Sequence, residues 1–355
     1  MGKKVLHNKY SKEDLVKRLE TEEDHRTVIS FYQYAHIKDP VFFRDLMYAR
    51  WEELGVLGRV YIAKEGVNAQ ISVKNSLVDR FREDLYSVDF LNGIRLNYAI
   101  ENKDNSFLKL KVKVREKIVA DGLNDDQFDV TDKGVHLSAE DFNEITGRKE
   151  TILVDMRNHY ESEVGHMKNA IRPDADTFRE ELPLVVDMLK EQKDQPVVMY
   201  CTGGIRCEKA SAYLKHVGFK DVYQLNGGII EYTRQCDEKG LENKFIGKNF
   251  VFDERLGERI SDDIIAECHQ CGKPCDTHTN CANDICHMLF IQCNECAAAH
   301  DGCCSVECKD FIKLPEEEQK ELRKGMKAQN HHFKKGRVRP KLKELFSQKG
   351  KELKT

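Results

Sequence analysis

Val197-Val198-Met199-Tyr200-Cys201-Thr202-Gly203-Gly204-Ile205-Arg206-Cys207 decides how the middle of this chain folds. Val197 to Tyr200 is a short, β-favouring apolar run and reads as a buried strand. After Cys201 come a threonine and two glycines, then a helical pattern that ends near Gly218. A cysteine at the carboxyl end of a strand, ahead of a glycine loop and a helix start, sits where backbone N–H groups converge. Such a nest binds anions and favours thiolate over thiol. Arg206 adds a fixed positive charge at the far end of the loop. The bland reading of Cys201 is a buried, inert thiol. The two glycines and the arginine weigh toward a reactive sulfur.

Working outward, strands and helices alternate. Ser138 with Asp141 is a capping pattern for a helix over Ala139–Thr146, and Thr151 to Met156 is a strand. Leu182 to Glu191 is a helix. Val222 to Leu225 is a strand, and Asn226-Gly227-Gly228-Ile229 leads into a helix through Cys236. Alternation of this kind predicts an α/β domain, a doubly wound parallel sheet over 126–245, with ligands at the carboxyl ends of its strands.

Residues 1–125 follow a different order. A capped helix at Ser11–Glu20 precedes a strand at Thr27–Tyr34. A helix then opens at Asp39-Pro40 and carries Phe43, Leu46, Met47 and Trp51. Strands at Arg59–Ala63 and Asn68–Val73, a helix over Ser76–Tyr86 and strands near Ile94–Ile100 and Leu108–Val114 complete a β-α-β-β-α-β pattern, that of a ferredoxin-like α+β domain. In the last strand Lys109, Lys111, Lys113, Arg115 and Lys117 recur at every second position, which puts their charges on one face. That face is either a lysine-blunted sheet edge or a surface that tracks phosphates.

Residues 246–312 open on a hairpin expected at Phe250–Ile260. Ten of the thirteen cysteines then fall between 268 and 308. Cys268-x2-Cys271 and Cys293-x2-Cys296 have zinc-site spacing, with six further cysteines left over for a second site. Disulfides and an iron–sulfur cluster are the alternatives, although the spacing departs from the bacterial ferredoxin run. Residues 313–355 read as a charged helix, Leu314–Ala328, and a basic tail. From 333 onward the tail holds seven Lys and two Arg against two Glu.

The 355 residues suit two or three domains of about 100–200 residues each. Net charge is −4, so a polyanionic partner must be met by local basic patches. No apolar run approaches the roughly 18 residues of a membrane span. Met1-Gly2-Lys3-Lys4 begins no signal peptide, and Leu6 stands where a myristoylation signal has Ser or Thr. The expectation is a cytoplasmic chain without a membrane partner, its cysteines serving metal or redox chemistry. No Gly-x-Gly-x-x-Gly fingerprint for flavin or nicotinamide is present.

Asp155-x-Arg157, Glu161, Gly165-His166 and Ala170-Ile171 resemble the entry motif of rhodanese sulfurtransferase domains. The loop Cys201–Arg206 resembles their active loop, and Gly227-Gly228-Ile229 their closing motif. That resemblance implies a persulfide on Cys201, its sulfur held by the amides of Thr202, Gly203, Gly204 and Ile205 and by Arg206. Asp155 and Arg157 are supporting residues that brace the sheet. Cys207 is either a resolving thiol or a small packed residue. Three further segments widen the likeness: Gly58–Asn68, Ala170–Asp174 with Phe178-Arg179-Glu180, and Cys201–Lys209. With the cysteine-rich block, they resemble the TrhO (YceA-like) family of tRNA uridine hydroxylases. The resemblance implies oxygen-dependent conversion of uridine 34 of tRNA to 5-hydroxyuridine, with tRNA as partner. Cys201 would serve as nucleophile and Lys109, Lys111, Lys113 and Arg115 would meet phosphates. Two alternatives stand beside it: a sulfurtransferase that takes sulfur from a donor protein and passes it to a protein or RNA acceptor, and a non-catalytic RNA-binding module whose rhodanese domain is only a scaffold. Oligomeric state stays open.

Overall fold

The computed structural model describes residues 11–100, 106–123, 128–130 and 132–324. The basic tail and the end of the helix expected over 314–328 lie outside them. No described helix is long and apolar enough to cross a membrane.

The amino-terminal part begins with α1 (Lys12–Glu20), whose first turn is capped by Ser11 Oγ accepting from the Asp14 N–H. There follow β1 (Arg26–Tyr34), α2 (Pro40–Glu53), β2 (Leu57–Ala63), β3 (Gly66–Lys74), α3 (Val78–Tyr86), β4 (Asn97–Tyr98) and β5 (Leu110–Val114). The sheet order is β4-β1-β3-β2-β5. Its first four strands are the antiparallel ferredoxin-like arrangement, and β5 adds a parallel edge beside β2. α2 and α3 cover one face, where Trp51 meets Phe31 edge-on at 6.2 Å and Phe81 at 5.9 Å. β4 is shorter than the expected strand. Only Asn97 and Tyr98 pair, opposite Ser30 and Ile29.

Beyond β5 the alternation runs β6 (Val135–Leu137), α4 (Ala139–Ile145), β7 (Ile152–Asp155), α5 (His159–Ser162), β8 (Gly165–Met167), α6 (Phe178–Met188), β9 (Val197–Tyr200), α7 (Ile205–His216), β10 (Val222–Leu225) and α8 (Gly228–Lys239). β10 pairs in parallel with β6, and β9 is its other neighbour. β9 is buried at all four positions, as a strand covered on both faces must be. Then come β11 (Phe245–Asn249), β12 (Glu258–Arg259), β13 (His278–Asn280), β14 (Leu289–Ile291), α9 (Asn294–Ala299), α10 (Val306–Ile312) and α11 (Glu316–Lys324). The hairpin expected at Phe250–Ile260 starts earlier, because β11 pairs with β12 through Lys248↔Arg259 and Asn249↔Glu258.

The chain forms two compact units that do not follow its order. Among the described residues, one gathers those within Met1–Thr151, Val198–Asn243 and Phe252–Arg255; the other gathers those within Ile152–Val197, Lys244–Val251 and Leu256–Thr355. The first therefore holds the ferredoxin-like sheet together with the Cys201 loop.

Candidate active site

β9 ends at Tyr200 and α7 begins at Ile205, so Cys201–Gly204 is the turn between them. Gly204 caps the helix with φ +98°, a conformation that costs glycine little. Its N–H donates to Cys201 Sγ at 3.1 Å. The N–H groups of Arg206 and Cys207 and the Cys207 thiol also donate to that sulfur. The sulfur thus lies in a nest at the amino end of a twelve-residue helix. Burial, with Cys201 fully enclosed, pushes its pKa up. The Cys207 thiol, the Arg206 charge and the backbone donors outweigh that and bring it down to about 6. At neutral pH Cys201 is a thiolate.

The closing motif holds the loop from behind. The Ile229 N–H donates to the Cys201 carbonyl at 3.0 Å. A Cβ on Gly228 would stand 2.4 Å from that same oxygen, so only glycine allows the approach. The Arg206 guanidinium carbon lies 5.9 Å from the centre of the Phe252 ring. The Phe252 carbonyl in turn accepts from Arg59 of β2 at 3.2 Å.

The ferredoxin-like sheet supplies groups that the sequence did not single out. Tyr32 of β1 donates from its hydroxyl to Glu208 Oε1 at 3.1 Å. A Cβ on Gly204 would lie 2.9 Å from that hydroxyl. Burial and the negative charges of Glu208 and Cys201 push the Tyr32 pKa far up, so it stays a donor. Glu208 also meets His136 Nε2 at 2.9 Å and Lys133 Nζ at 3.0 Å. Burial alone would raise its carboxyl; these partners hold it below the usual range. Arg95 donates to the Asn226 carbonyl at 3.2 Å. Lys209, fully buried, is paired with Glu65 at 2.8 Å and Asp121 at 3.1 Å. Three of these residues were within reach of the sequence, since Glu65, Glu208 and Lys209 all lie in the segments that carried the family resemblance.

The basic run keeps its predicted face only in part: Lys117, past the end of β5, donates instead to Asp121 and to the Leu123 carbonyl, both at 2.6 Å. Lys111 and Lys113 point outward and Leu110 and Val112 inward, but Val114, at the end of the strand, is 38% exposed. In register, Lys111 stands opposite Arg59 and Lys113 opposite Tyr61, and the Arg115 guanidinium lies over the Tyr61 ring at 5.5 Å. Partial burial and the charges of Lys109, Arg59 and Lys113 lower the Lys111 pKa, which marks a patch of like charges.

In the second unit Asp155 and Arg157 form a fully buried bidentate pair at 2.8 and 2.6 Å. Arg157 also donates to the Gly165 carbonyl at 2.6 Å. This ties the end of β7 to the start of β8, a bracing arrangement. His166 meets the Ser162 carbonyl through Nδ1 at 3.0 Å, and burial lowers its pKa, which keeps it neutral.

The cysteine-rich segment separates into two groups of four. Cys268, Cys271, Cys293 and Cys296 gather as their spacing predicted; Cys281, Cys286, Cys304 and Cys308 form the other group. Within each, all sulfurs lie within 4.8 Å of one another. Neighbouring sulfurs are 3.7 Å apart in the first group and 3.6 and 3.8 Å in the second. Tetrahedral thiolates with metal–sulfur bonds of about 2.3 Å stand about 3.8 Å apart, so both groups fit a metal ion. Backbone N–H groups of Cys293 and Cys304 point at the sulfurs of Cys268 and Cys281 and favour thiolates there.

Three family models match the chain. A UPF0176 acylphosphatase-like domain covers 26–118, a rhodanese-like domain 138–235 and a rhodanase C-terminal domain 246–309. A protein of Leptospira interrogans named tRNA uridine(34) hydroxylase is 54% identical over 344 residues, spanning 97% of this chain and 94% of that protein. A protein of the same name from Yersinia pestis is 58% identical over 322 residues, spanning 90% of this chain and 91% of that protein. Among solved structures, the rhodanese-like domain of an Anabaena protein aligns over 32% of this chain and 78% of its own, at 19% identity and a TM-score of 0.25.

Proposed function

The chain belongs to the tRNA uridine(34) hydroxylase family, and on that premise we propose that it hydroxylates uridine 34 of tRNA at C5, with dioxygen as co-substrate. The observation that carries the chemistry is the buried sulfur of Cys201, set against three backbone N–H groups and the charge of Arg206, which favour its thiolate. A thiolate is the form that adds to carbon. Addition to C6 of the pyrimidine forms a C–S bond and moves the C5–C6 π pair onto C5, the carbon that takes the oxygen. Arg206 and the loop amides keep the sulfur anionic until it attacks.

Lys109, Lys111, Lys113 and Arg115 take the tRNA backbone, and Arg59 joins them. The crowding of like charge on β5 supports this, as does the connection from Arg59 through Phe252 to Arg206. Each four-cysteine group holds one structural zinc ion. Zinc suits four thiolates, and the sulfur separations match its bond lengths.

A sulfur-transfer reading shares the same loop, with a donor protein charging Cys201 as a persulfide. The two part in a reaction of the purified protein with an anticodon stem-loop carrying U34, dioxygen and a thiol reductant. The hydroxylase reading expects 5-hydroxyuridine from the wild type and none from Cys201→Ser. A Cys201→Ser protein that hydroxylates at the wild-type rate overturns the role given to the sulfur. Thiosulfate-to-thiol turnover without any hydroxyuridine overturns the activity.

A further inference from the structure

We propose that Cys207 is a catalytic residue, the second half of a dithiol that supplies the two electrons the hydroxylation consumes. The inference rests on the hydroxylase reading above.

The placement is specific. Cys207 is the third residue of α7, and both its N–H and its thiol are directed at Cys201 Sγ. Both cysteines are fully buried. Packing explains a small thiol in a helix; it does not explain why that thiol is aimed at the nucleophilic sulfur. The five residues between them, Thr202 to Arg206, make the turn from β9 into α7, with the left-handed Gly204 donating its N–H to Cys201 Sγ, so the two cysteines flank the active loop.

The electron count calls for such a pair. Placing one oxygen atom of O2 into the C5–H bond leaves the other to become water, which takes two electrons and two protons. Two thiols passing to a disulfide release two of each. Written out, the Cys201 thiolate adds to C6, and C5 adds dioxygen and a proton to give a C5 hydroperoxide. The Cys207 sulfur attacks the distal oxygen; the O–O bond breaks, leaving a C5 hydroxyl and a Cys207 sulfenic acid. Loss of the C5 proton then expels Cys201 from C6 and restores the ring as 5-hydroxyuridine. The Cys201 thiol condenses with the Cys207 sulfenic acid, forming the disulfide and one water. The sum is uridine, O2 and two thiols giving 5-hydroxyuridine, water and one disulfide. An external dithiol reopens the disulfide by exchange.

The experiment uses the full-length protein, reduced with dithiothreitol and then freed of it, mixed with a U34 anticodon stem-loop in air-saturated buffer. Product is counted by nucleoside mass spectrometry. Free thiols are alkylated, and trypsin cuts after Arg206, so a Cys201–Cys207 bond links two peptides that otherwise separate. Expected is a burst near one 5-hydroxyuridine per chain, with the linked peptides appearing in step. Added dithiothreitol should turn the burst into continuous turnover. Cys207→Ala, which leaves only a small space in the packing, should lose the linked peptides and slow by a factor of about ten or more while keeping the wild-type fold by circular dichroism. A wild-type burst without linked peptides overturns the proposal, as does Cys207→Ala turning over like the wild type. No hydroxyuridine from the wild type under any reductant overturns the activity, and this proposal with it.

Discussion

At Cys201 two opposing effects of burial are visible. Enclosure raises the thiol pKa, yet the same enclosure keeps water from screening Arg206 and the loop N–H groups, and these win, giving a pKa of about 6. The acid limb of kcat/KM for hydroxylation is therefore expected near pH 6, with activity rising through it and flat above. Arg206→Gln removes a positive charge from the thiolate, so the limb should move upward toward the range of a free thiol. A pH–rate series on both proteins checks this; an unmoved limb in the variant contradicts the role of Arg206. The linkage sign agrees. A thiol acidified by folding adds stability at pH above its unfolded pKa, and that increment fades as pH falls through 6. This residue was legible in the sequence because everything that defines the loop lies within seven consecutive positions. Tyr32 was not, because the partner that positions it, Glu208, is 176 residues away in the chain.

At the scale of elements, β5 and the cysteine groups carry the argument. β5 is an edge strand, and its alternation of lysine with apolar residues left a blunted edge and a phosphate surface equally open. Its register against β2 favours the second, because Arg59 and Tyr61 extend the charge and add an aromatic ring. Replacing Lys111, Lys113 and Arg115 together with Gln should weaken binding to all tRNAs similarly. It should also flatten the plot of log affinity against log salt by roughly 0.7–0.9 per charge removed. Binding isotherms over a salt series measure this, and an unchanged slope contradicts the assignment. The first cysteine group was readable from its paired two-residue spacings. The second was not, because Cys281, Cys286, Cys304 and Cys308 are separated by four, seventeen and three residues and only the fold closes them. Elemental analysis of dialysed protein should find two zinc ions per chain, and Cys304→Ala should lose one. Zero metal in freshly purified protein contradicts the zinc assignment.

Across the molecule, the ferredoxin-like sheet and the Cys201 loop belong to one compact unit. Lys209 joins them. It is the fifth residue of α7, is fully buried, and is shared by Glu65 at the β2–β3 turn and Asp121. Its ammonium also lies 5.7 Å from the centre of the Tyr34 ring. Removing one partner of a buried ion pair strands the others, at a cost of about 3–5 kcal/mol. Lys209→Met should lower unfolding stability by about that amount in urea titration; a change under about 1 kcal/mol would mean the site is far better solvated than its burial implies. Both folds were legible in the sequence from local periodicity. Their joining was not, since an ion pair between residues 65 and 209 leaves no periodic mark.

The central claim is that this chain hydroxylates tRNA and that the Cys201 sulfur is required for it. The most direct test is nucleoside mass spectrometry of bulk tRNA from cells lacking the gene, complemented with the wild type or with Cys201→Ala. The account predicts that 5-oxygenated uridines fall in the deletion and return only with the wild type. Unchanged 5-oxygenated uridines with a fall in 2-thiouridines instead would contradict it and make the chain a sulfur carrier.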